Sequence, residues 1–198
     1  MLHHDPAHAP AHLAVFCHQH PVYGGTMHSK VVFRASEALA EMGIPVLRFN
    51  FRGVNHSEGE HDAGRGEQGD VRAALDFITD RFGALPVLLC GTSFGAAMAL
   101  QVGSVDRGVT GMLVVAPPVS GYDYPGLATC ATPKLVIQGT ADTVCPEERL
   151  LVEWPRWAGP KRLIEVAGAT HFFDRQLPEL KSAVREGAEW LLAEEIAS

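Results

Sequence analysis

Short, wholly apolar runs alternate with helix-like segments along most of the 198 residues. Runs that are apolar at every position are typical of strands in a parallel sheet covered on both faces. The segments between them carry apolar residues at spacings of three and four, which indicates amphipathic helices. We therefore predict an α/β fold with a mostly parallel central sheet of about six strands and helices on both faces. The predicted strands are Leu13–Cys17, Val46–Phe49, Pro86–Cys90, Met112–Ala116, Leu135–Gln138 and Leu163–Val166.

The chain divides into a short lead-in and one domain. Residues 1–12 are rich in His, Ala and Pro without any period, which predicts a loose N-terminal lead-in, and residues 13–198 are expected to form a single domain. Four histidines fall in the lead-in: His3, His4, His8 and His12. A metal-binding tract is one interpretation of them, but the Cys/His spacing of a zinc site is missing, so we favour a solvated tail.

Charge and hydropathy exclude several classes of function. The net charge of −7 argues against binding to a nucleic-acid backbone, which requires a basic face. No segment approaches the ~20 apolar residues of a membrane span, and the first residues lack the basic and apolar regions of a signal peptide. Four cysteines are too few for a disulfide scaffold. We expect a cytoplasmic protein that binds neither nucleic acid nor membrane.

The segment Gly91–Gly95 reads Gly-Thr-Ser-Phe-Gly and lies directly between a predicted strand and a predicted helix. A G-x-S-x-G sequence in this context predicts a strained turn that lifts the serine hydroxyl above the sheet. The flanking glycines leave room for the neighbouring strand and helix, and the positive end of the helix lies close to the hydroxyl. Ser93 is therefore the candidate nucleophile.

A serine hydroxyl needs a base within hydrogen-bond reach, and the base needs a carboxylate to orient it. Where the serine lies on such a turn, the chain order is Ser, then Asp or Glu, then His. Asp142 and His171 each follow the end of a predicted strand in that order, so we predict a catalytic triad of Ser93, Asp142 and His171. Asp174 is the alternative carboxylate, but it precedes the last helix instead of following a strand.

An acyl-transfer site also needs two donors for the developing oxyanion. The backbone N–H of Phe94, the residue after the nucleophile, is the first candidate. The second should come from the loop after the first predicted strand, where Pro21 has no N–H to offer. We favour His20, with Val22 or Tyr23 as alternatives.

Taken together, these motifs resemble the α/β-hydrolase superfamily, and within it the small bacterial serine hydrolases that lack a lid. The resemblance runs from about residue 13 to the C-terminus and includes Gly24–Val32, Arg48–Gly53, Gly66–Asp70, Ala116–Pro118, Gln138–Asp142 and Thr170–Phe173 besides the serine turn. It implies an α/β-hydrolase fold and a Ser-His-Asp triad on the same three residues. Relatives usually carry two further strands before the first one here, which residues 1–12 are too short to supply. A sheet that is shorter on this side leaves an exposed edge strand, which must be protected or paired with another strand. Pairing with a second copy of the chain, in a homodimer, is one way to achieve this.

The stretch between the fourth and fifth predicted strands, Pro117–Pro133, is too short for a cap domain, so we predict an open, shallow site. An open site suits a small-molecule ester with a small or exposed acyl group. Candidate walls of the site are Tyr23, Phe94, Tyr122, Phe172 and Phe173. The function predicted is a carboxylesterase that needs no metal or organic cofactor. An acyl-thioesterase or peptidase with the same triad, and a catalytically idle binding protein on this fold, are the alternatives.

Two further patterns carry no function in their context. Gly64–Gly69 spells G-x-G-x-x-G, but no predicted strand precedes it, so a dinucleotide site is not expected. Cys17, His18, His20 and His28 lie close together in sequence without the spacing of a closed metal site.

Overall fold

A seven-stranded sheet forms the centre of the part of the chain that the computed structural model describes, residues 1–3 and 9–197. The order across the sheet is β1-β3-β2-β4-β5-β6-β7, and all neighbouring strands are parallel except β1 and β3. The strands are β1 (Leu2–His3), β2 (Leu13–Cys17), β3 (Val46–Arg48), β4 (Val87–Thr92), β5 (Val109–Val115), β6 (Lys134–Gly139) and β7 (Lys161–Val166). The predicted fold class is confirmed.

Five α-helices cover the two faces of the sheet, as far as residues 1–3 and 9–197 show. They are α1 (Lys30–Glu41), α2 (Arg65–Phe82), α3 (Phe94–Gly103), α4 (Glu147–Glu153) and α5 (Leu177–Ala197). Apolar residues of α2, α3 and α4 share one core cluster, whereas α1 and α5 share the other. Alternate residues of β2 supply the two clusters, Leu13 and Val15 to the first and Ala14 and Phe16 to the second. Burial on both faces explains why the strand is apolar throughout.

The N-terminus differs from the expected loose lead-in. Leu2 and His3 pair antiparallel with Leu47 and Val46 at the edge of the sheet, and the amino group of Met1 donates a hydrogen bond to the Arg48 carbonyl. The expectation is therefore wrong for residues 1–3, because a two-residue strand carries no periodic signal that a sequence pattern could reveal. Residues 4–8 of the predicted lead-in, with His4 and His8, lie outside the described residues.

The connection between β5 and β6 contains one turn of 3₁₀ helix, Pro125–Ala128, and no inserted domain. The carboxyl ends of β4, β6 and β7 are therefore not covered by a cap, in agreement with the prediction. Within the described part of the chain, no helix combines the length and the apolar character that a bilayer span requires.

Candidate active site

Ser93 lies at the turn between β4 and α3. Its backbone dihedrals are φ 53° and ψ −123°, a region that residues with a side chain rarely occupy. The Ser93 N–H donates to the Val115 carbonyl at 2.9 Å, which ties the turn to the end of β5. The turn therefore has the strained strand-to-helix geometry that the G-x-S-x-G sequence predicts.

The two glycines of the motif are required by close backbone packing. A Cβ atom on Gly91 would lie 2.2 Å from the Gly95 carbonyl oxygen. A Cβ atom on Gly95 would lie 2.3 Å from the Cys17 carbonyl oxygen and 2.4 Å from that of His18. Because backbone atoms cannot give way as a flexible side chain can, a side chain at Gly91 would separate the end of β4 from the start of α3, and one at Gly95 would separate α3 from the end of β2. Gly95 thus lets the residues at the end of β2 lie against the start of α3.

Ser93, His171 and Asp142 form one hydrogen-bonded row. His171 Nε2 lies 3.0 Å from Ser93 Oγ, and His171 Nδ1 lies 2.8 Å from Asp142 Oδ2. An ionised carboxylate only accepts hydrogen bonds, so the Nδ1 of neutral His171 carries the proton and its Nε2 is left to accept from the serine hydroxyl. His171 is only 7% exposed. In this arrangement, His171 can accept the hydroxyl proton of Ser93 and become an imidazolium.

The Asp142 carboxylate is held in its ionised form. Burial opposes ionisation, but the hydrogen bond from His171 and those from the backbone of Cys145 and Val144 outweigh it, so the pKa of Asp142 is lowered. The two backbone N–H groups donate to Oδ1, each at 2.8 Å. The alternative carboxylate, Asp174, is exposed and pairs with Lys30 at 3.2 Å. It does not occupy the position beside His171 Nδ1.

The loops that carry Asp142 and His171 are bonded to each other. Ala141 N–H donates to the Ala169 carbonyl at 3.0 Å, and Gly168 N–H donates to Thr140 Oγ1 at 2.8 Å. Since β6 and β7 are parallel neighbours, both loops leave the sheet at the same edge. The spacing between the carboxylate and the imidazole is therefore set by the strands themselves.

The predicted oxyanion donors lie on adjoining segments. The ring of His20 packs against the ring of Phe94 with centroids 4.9 Å apart. Among the described residues, neither the Phe94 nor the His20 backbone N–H has a hydrogen-bond acceptor. The two alternatives are engaged, because Val22 N–H donates to His20 Nδ1 and Tyr23 N–H donates to the His20 carbonyl.

The predicted walls separate into exposed and buried residues. Tyr23 is 83% exposed and contacts the His20 ring, while Tyr122 is half-buried with its ring centroid 6.2 Å from that of Phe94. Phe172 is exposed beside His171. Phe94 is 1% exposed and Phe173 is fully buried, each within a core cluster, so the assignment of these two residues as walls is wrong. Phe173 has a backbone φ of 51°, and it is buried although its neighbour Phe172 is exposed.

A cavity of about 310 Å³ adjoins His171, and sequence reasoning missed most of its lining. Gln19 is the second residue after β2, so the rule that ligands bind at the carboxyl ends of strands could have found it. Residues at the start of α1 carry no such signal. The lining residues are Gln19, Ser29, Lys30, Val31, Thr92, His171, Phe172 and Asp174.

The remaining sequence patterns have structural roles. Glu67 is fully buried at the start of α2, where it accepts a hydrogen bond from the Gly64 N–H at 2.8 Å and lies 2.7 Å from His61 Nδ1. The G-x-G-x-x-G pattern is thus the capped start of a helix. No group of three or more His, Cys, Asp or Glu that could hold a metal ion occurs within residues 1–3 and 9–197.

A mostly parallel sheet without a lid, with a serine on the turn after its central strand, defines the class of the α/β hydrolases. Within that class, residues 10–131 match the model of the family described as serine aminopeptidase, S33. The match covers more than half of the chain, and the chain belongs to this family.

The chain is similar to an uncharacterized bacterial protein and to two α/β serine hydrolases of known structure. An uncharacterized protein of Rickettsia prowazekii (strain Madrid E) is 35% identical over 185 residues, which is 89% of this chain and 78% of the relative. The structure of an alpha-beta serine hydrolase homologue from Coxiella burnetii is 35% identical with a TM-score of 0.87, covering 94% of this chain and 89% of that one. A Xanthomonas campestris serine hydrolase without lid is 33% identical with a TM-score of 0.86, covering 94% and 85%.

Proposed function

We propose that the protein is a serine hydrolase of carboxylic esters, with Ser93 as nucleophile, His171 as general base and Asp142 as the group that orients the base. The observation that carries the proposal is the row of hydrogen bonds from Ser93 Oγ through His171 to Asp142. The serine hydrolase homologues of similar structure support the same class of reaction.

Acylation follows from this geometry. Ser93 Oγ attacks the ester carbonyl carbon while its proton passes to His171 Nε2, and the carbonyl oxygen becomes an oxyanion. The N–H groups of Phe94 and His20 donate to that oxyanion. When the tetrahedral intermediate collapses, the bond to the alcohol oxygen breaks and His171 donates its proton to the leaving alkoxide. The acyl group remains on Ser93 and the alcohol departs.

Deacylation repeats the same steps with water. His171 Nε2 takes a proton from a water molecule as the water oxygen attacks the acyl carbon. The second oxyanion collapses, the bond to Ser93 Oγ breaks, and His171 returns the proton to the serine. Throughout, the ionised Asp142 stabilises the imidazolium form of His171.

The surroundings of Ser93 favour small or exposed substrates. The connection between β5 and β6 supplies no cap, and Ser93 itself is partly exposed. Tyr23, Tyr122 and Phe172 are the proposed apolar contacts for the substrate. Location in the cytoplasm, pairing as a homodimer and action without a metal or cofactor remain predictions.

A peptidase is the second candidate, because the matching family is described as serine aminopeptidases. Esters, thioesters and amides pass through the same kind of oxyanion, so the triad alone does not separate them. The reactions differ in the leaving group, which an amide releases less readily than an ester.

The test compares p-nitrophenyl acetate, butyrate and octanoate with an acyl-CoA thioester and an aminoacyl p-nitroanilide. We expect the short p-nitrophenyl esters to give the highest kcat/KM and the Ser93→Ala variant to lose at least about 10⁴-fold in kcat. Circular dichroism checks that the variant is folded. Preference for the anilide would replace the esterase proposal with a peptidase, and full activity in Ser93→Ala would refute the triad.

A further inference from the structure

His18 is buried at the end of β2 and has no part in the proton transfers proposed above. Both of its ring nitrogens nevertheless form hydrogen bonds. Nδ1 lies 2.6 Å from the carbonyl oxygen of Gln19, and Nε2 lies 3.1 Å from the backbone nitrogen of Phe51. The ring also contacts the Phe51 ring edge-on, with centroids 4.8 Å apart.

These two contacts fix the protonation of the ring. The Phe51 N–H can only donate, so Nε2 must be the acceptor. The Gln19 carbonyl can only accept, so Nδ1 must carry the hydrogen. Burial agrees with this, because it lowers the pKa of His18 to about 4 even though the hydrogen bond to Gln19 acts in the opposite direction. His18 is therefore a neutral imidazole that donates one hydrogen bond, to the Gln19 carbonyl.

The Gln19 carbonyl and the His20 N–H belong to the same peptide group. The bond is trans, so the two point in opposite directions from one plane. On the carbonyl side, Gly25 packs so closely that a Cβ atom there would lie 2.0 Å from the Gln19 oxygen. On the other side, the His20 N–H has no acceptor among the described residues. A contact that holds the carbonyl in place thus also aims the N–H.

We propose that His18 is a positioning residue for the oxyanion hole: its Nδ1–H holds the Gln19 carbonyl so that the His20 N–H faces the substrate oxygen. If this peptide turned over, the site would present a carbonyl oxygen to a developing negative charge in place of a donor. The inference rests on the proposed function, since it assigns His18 a part in the same acyl-transfer reaction.

Two substitutions separate the two contacts of the ring. His18→Asn keeps a donor near the position of Nδ1 but does not reach Phe51. His18→Gln places its amide near the position of Nε2, where its oxygen can accept from Phe51, and leaves the Gln19 carbonyl without a donor. If His18 serves only to hold Phe51, the glutamine variant should keep the higher kcat. The proposed role predicts instead that the asparagine variant keeps the higher kcat.

The experiment measures kcat and KM on p-nitrophenyl acetate for the wild type and both variants. We expect His18→Gln to lose about 10²–10³-fold in kcat with KM nearly unchanged, the effect of losing one oxyanion donor, and His18→Asn to keep kcat within about tenfold. The proposal is overturned if His18→Asn loses as much kcat as His18→Gln, or if His18→Gln retains the wild-type value.

Gly25→Ala tests the same peptide from its other side and keeps the proposal open to refutation if the His18 variants do not fold. Its methyl group would displace the Gln19 oxygen, and we expect the same loss of kcat. Crystal structures of the folded variants give a readout that does not depend on activity. If the wild type hydrolyses no ester, the proposed function fails. If the crystal structure of His18→Gln shows the Gln19–His20 peptide in its wild-type orientation, the proposed role of His18 is overturned.

Discussion

At the residue scale, Asp142 shows how the backbone prepares a side chain for one task. One carboxylate oxygen is occupied by two backbone N–H groups of its own loop, which leaves the other to face His171. The carboxylate cannot rotate without giving up both backbone bonds. Its orientation is therefore decided before any substrate is present, which is the condition for an effective orienting group.

We predict that Asp142→Asn lowers kcat about 10⁴-fold while the variant remains folded. The asparagine oxygen can still accept from Val144 and Cys145, but its NH₂ group then faces His171 Nδ1 and favours the tautomer with the proton on Nε2. That tautomer cannot accept the proton of Ser93. Kinetics on p-nitrophenyl acetate measure the loss.

Asp174→Asn is the matched control, because Asp174 is an exposed carboxylate near His171 that pairs with Lys30 instead. Exposed ion pairs contribute about 0–1 kcal/mol, so we expect nearly wild-type kcat. A larger loss in Asp174→Asn than in Asp142→Asn would show that the orienting carboxylate has been misassigned.

The three candidate triad residues could be predicted because each follows the end of a strand whose apolar sequence marks its position. Their mutual distances could not, since they depend on the order of strands in the sheet. The part proposed for His18 has no sequence signal either. It depends on which way the Gln19 carbonyl points, and no sequence pattern reports the contacts of that carbonyl with the His18 ring and with Gly25.

At the element scale, α2 begins against the side chain of Arg52. The Arg52 guanidinium donates to both carboxylate oxygens of Asp70, which lies on the first turns of the helix. Gly66 leaves space for that guanidinium, since a Cβ atom there would lie 2.0 Å from Arg52 Nη1. Gly69 lies on the exposed side of the same helix, where the nearest atom to an added Cβ would be Arg52 Nη2 at 3.8 Å.

We predict opposite outcomes for alanine at these two glycines. Gly69→Ala should raise the free energy of unfolding by about 0.5–1 kcal/mol, because alanine restricts the unfolded chain and has the higher helix propensity. Gly66→Ala gains the same propensity but displaces the guanidinium from Asp70, so we expect it to be less stable than Gly69→Ala. Urea unfolding of both variants measures the difference, and equal stabilities would refute the packing argument.

Element boundaries show where sequence patterns lose information. β5 begins at Val109, three residues before its predicted start, because Thr110 and Gly111 interrupt the apolar run, although the strand still pairs with β4 on both sides of a register shift at Thr110. β1 was not predicted at all. In both cases the neighbouring strand supplies the hydrogen bonds, so the strand does not depend on its own propensity.

At the scale of the whole molecule, burial of His18 links stability to pH. Its pKa is lowered from the usual 6.5 to about 4 in the folded protein, so the unfolded chain binds the proton more readily between these two values. Stability therefore rises with pH across this window and is lost as the pH falls from 6.5 towards 4. Protonation would also break the hydrogen bond from Phe51.

We predict that lowering the pH from 7 to 4.5 reduces the free energy of unfolding by about 2–3 kcal/mol more in the wild type than in His18→Gln. The glutamine side chain does not titrate, so the part of the pH dependence that belongs to His18 disappears. Urea unfolding at the two pH values gives the comparison. The same pH dependence in both proteins would show that His18 is not the group responsible.

The overall architecture could be predicted from the sequence more completely than the details of the site. Six of the strands could be predicted because their sequences are largely apolar: five are almost wholly buried between the helix layers, whereas β7, at the edge, is mostly half-buried. The absence of a cap followed from the length of one connection. What a sequence pattern could not provide was the pairing of residues 1–3 with β3, or the cavity formed where the loop after β2 meets the start of α1.

The central claim is that Ser93 is an activated nucleophile. The most direct test is to incubate the protein with a fluorophosphonate, measure its intact mass, and map the modified residue by peptide mass spectrometry. We predict one adduct, on Ser93, with strongly slowed labelling in Asp142→Asn and none in Ser93→Ala. An unlabelled wild-type protein, or an adduct on another serine while Ser93 stays free, would contradict the account.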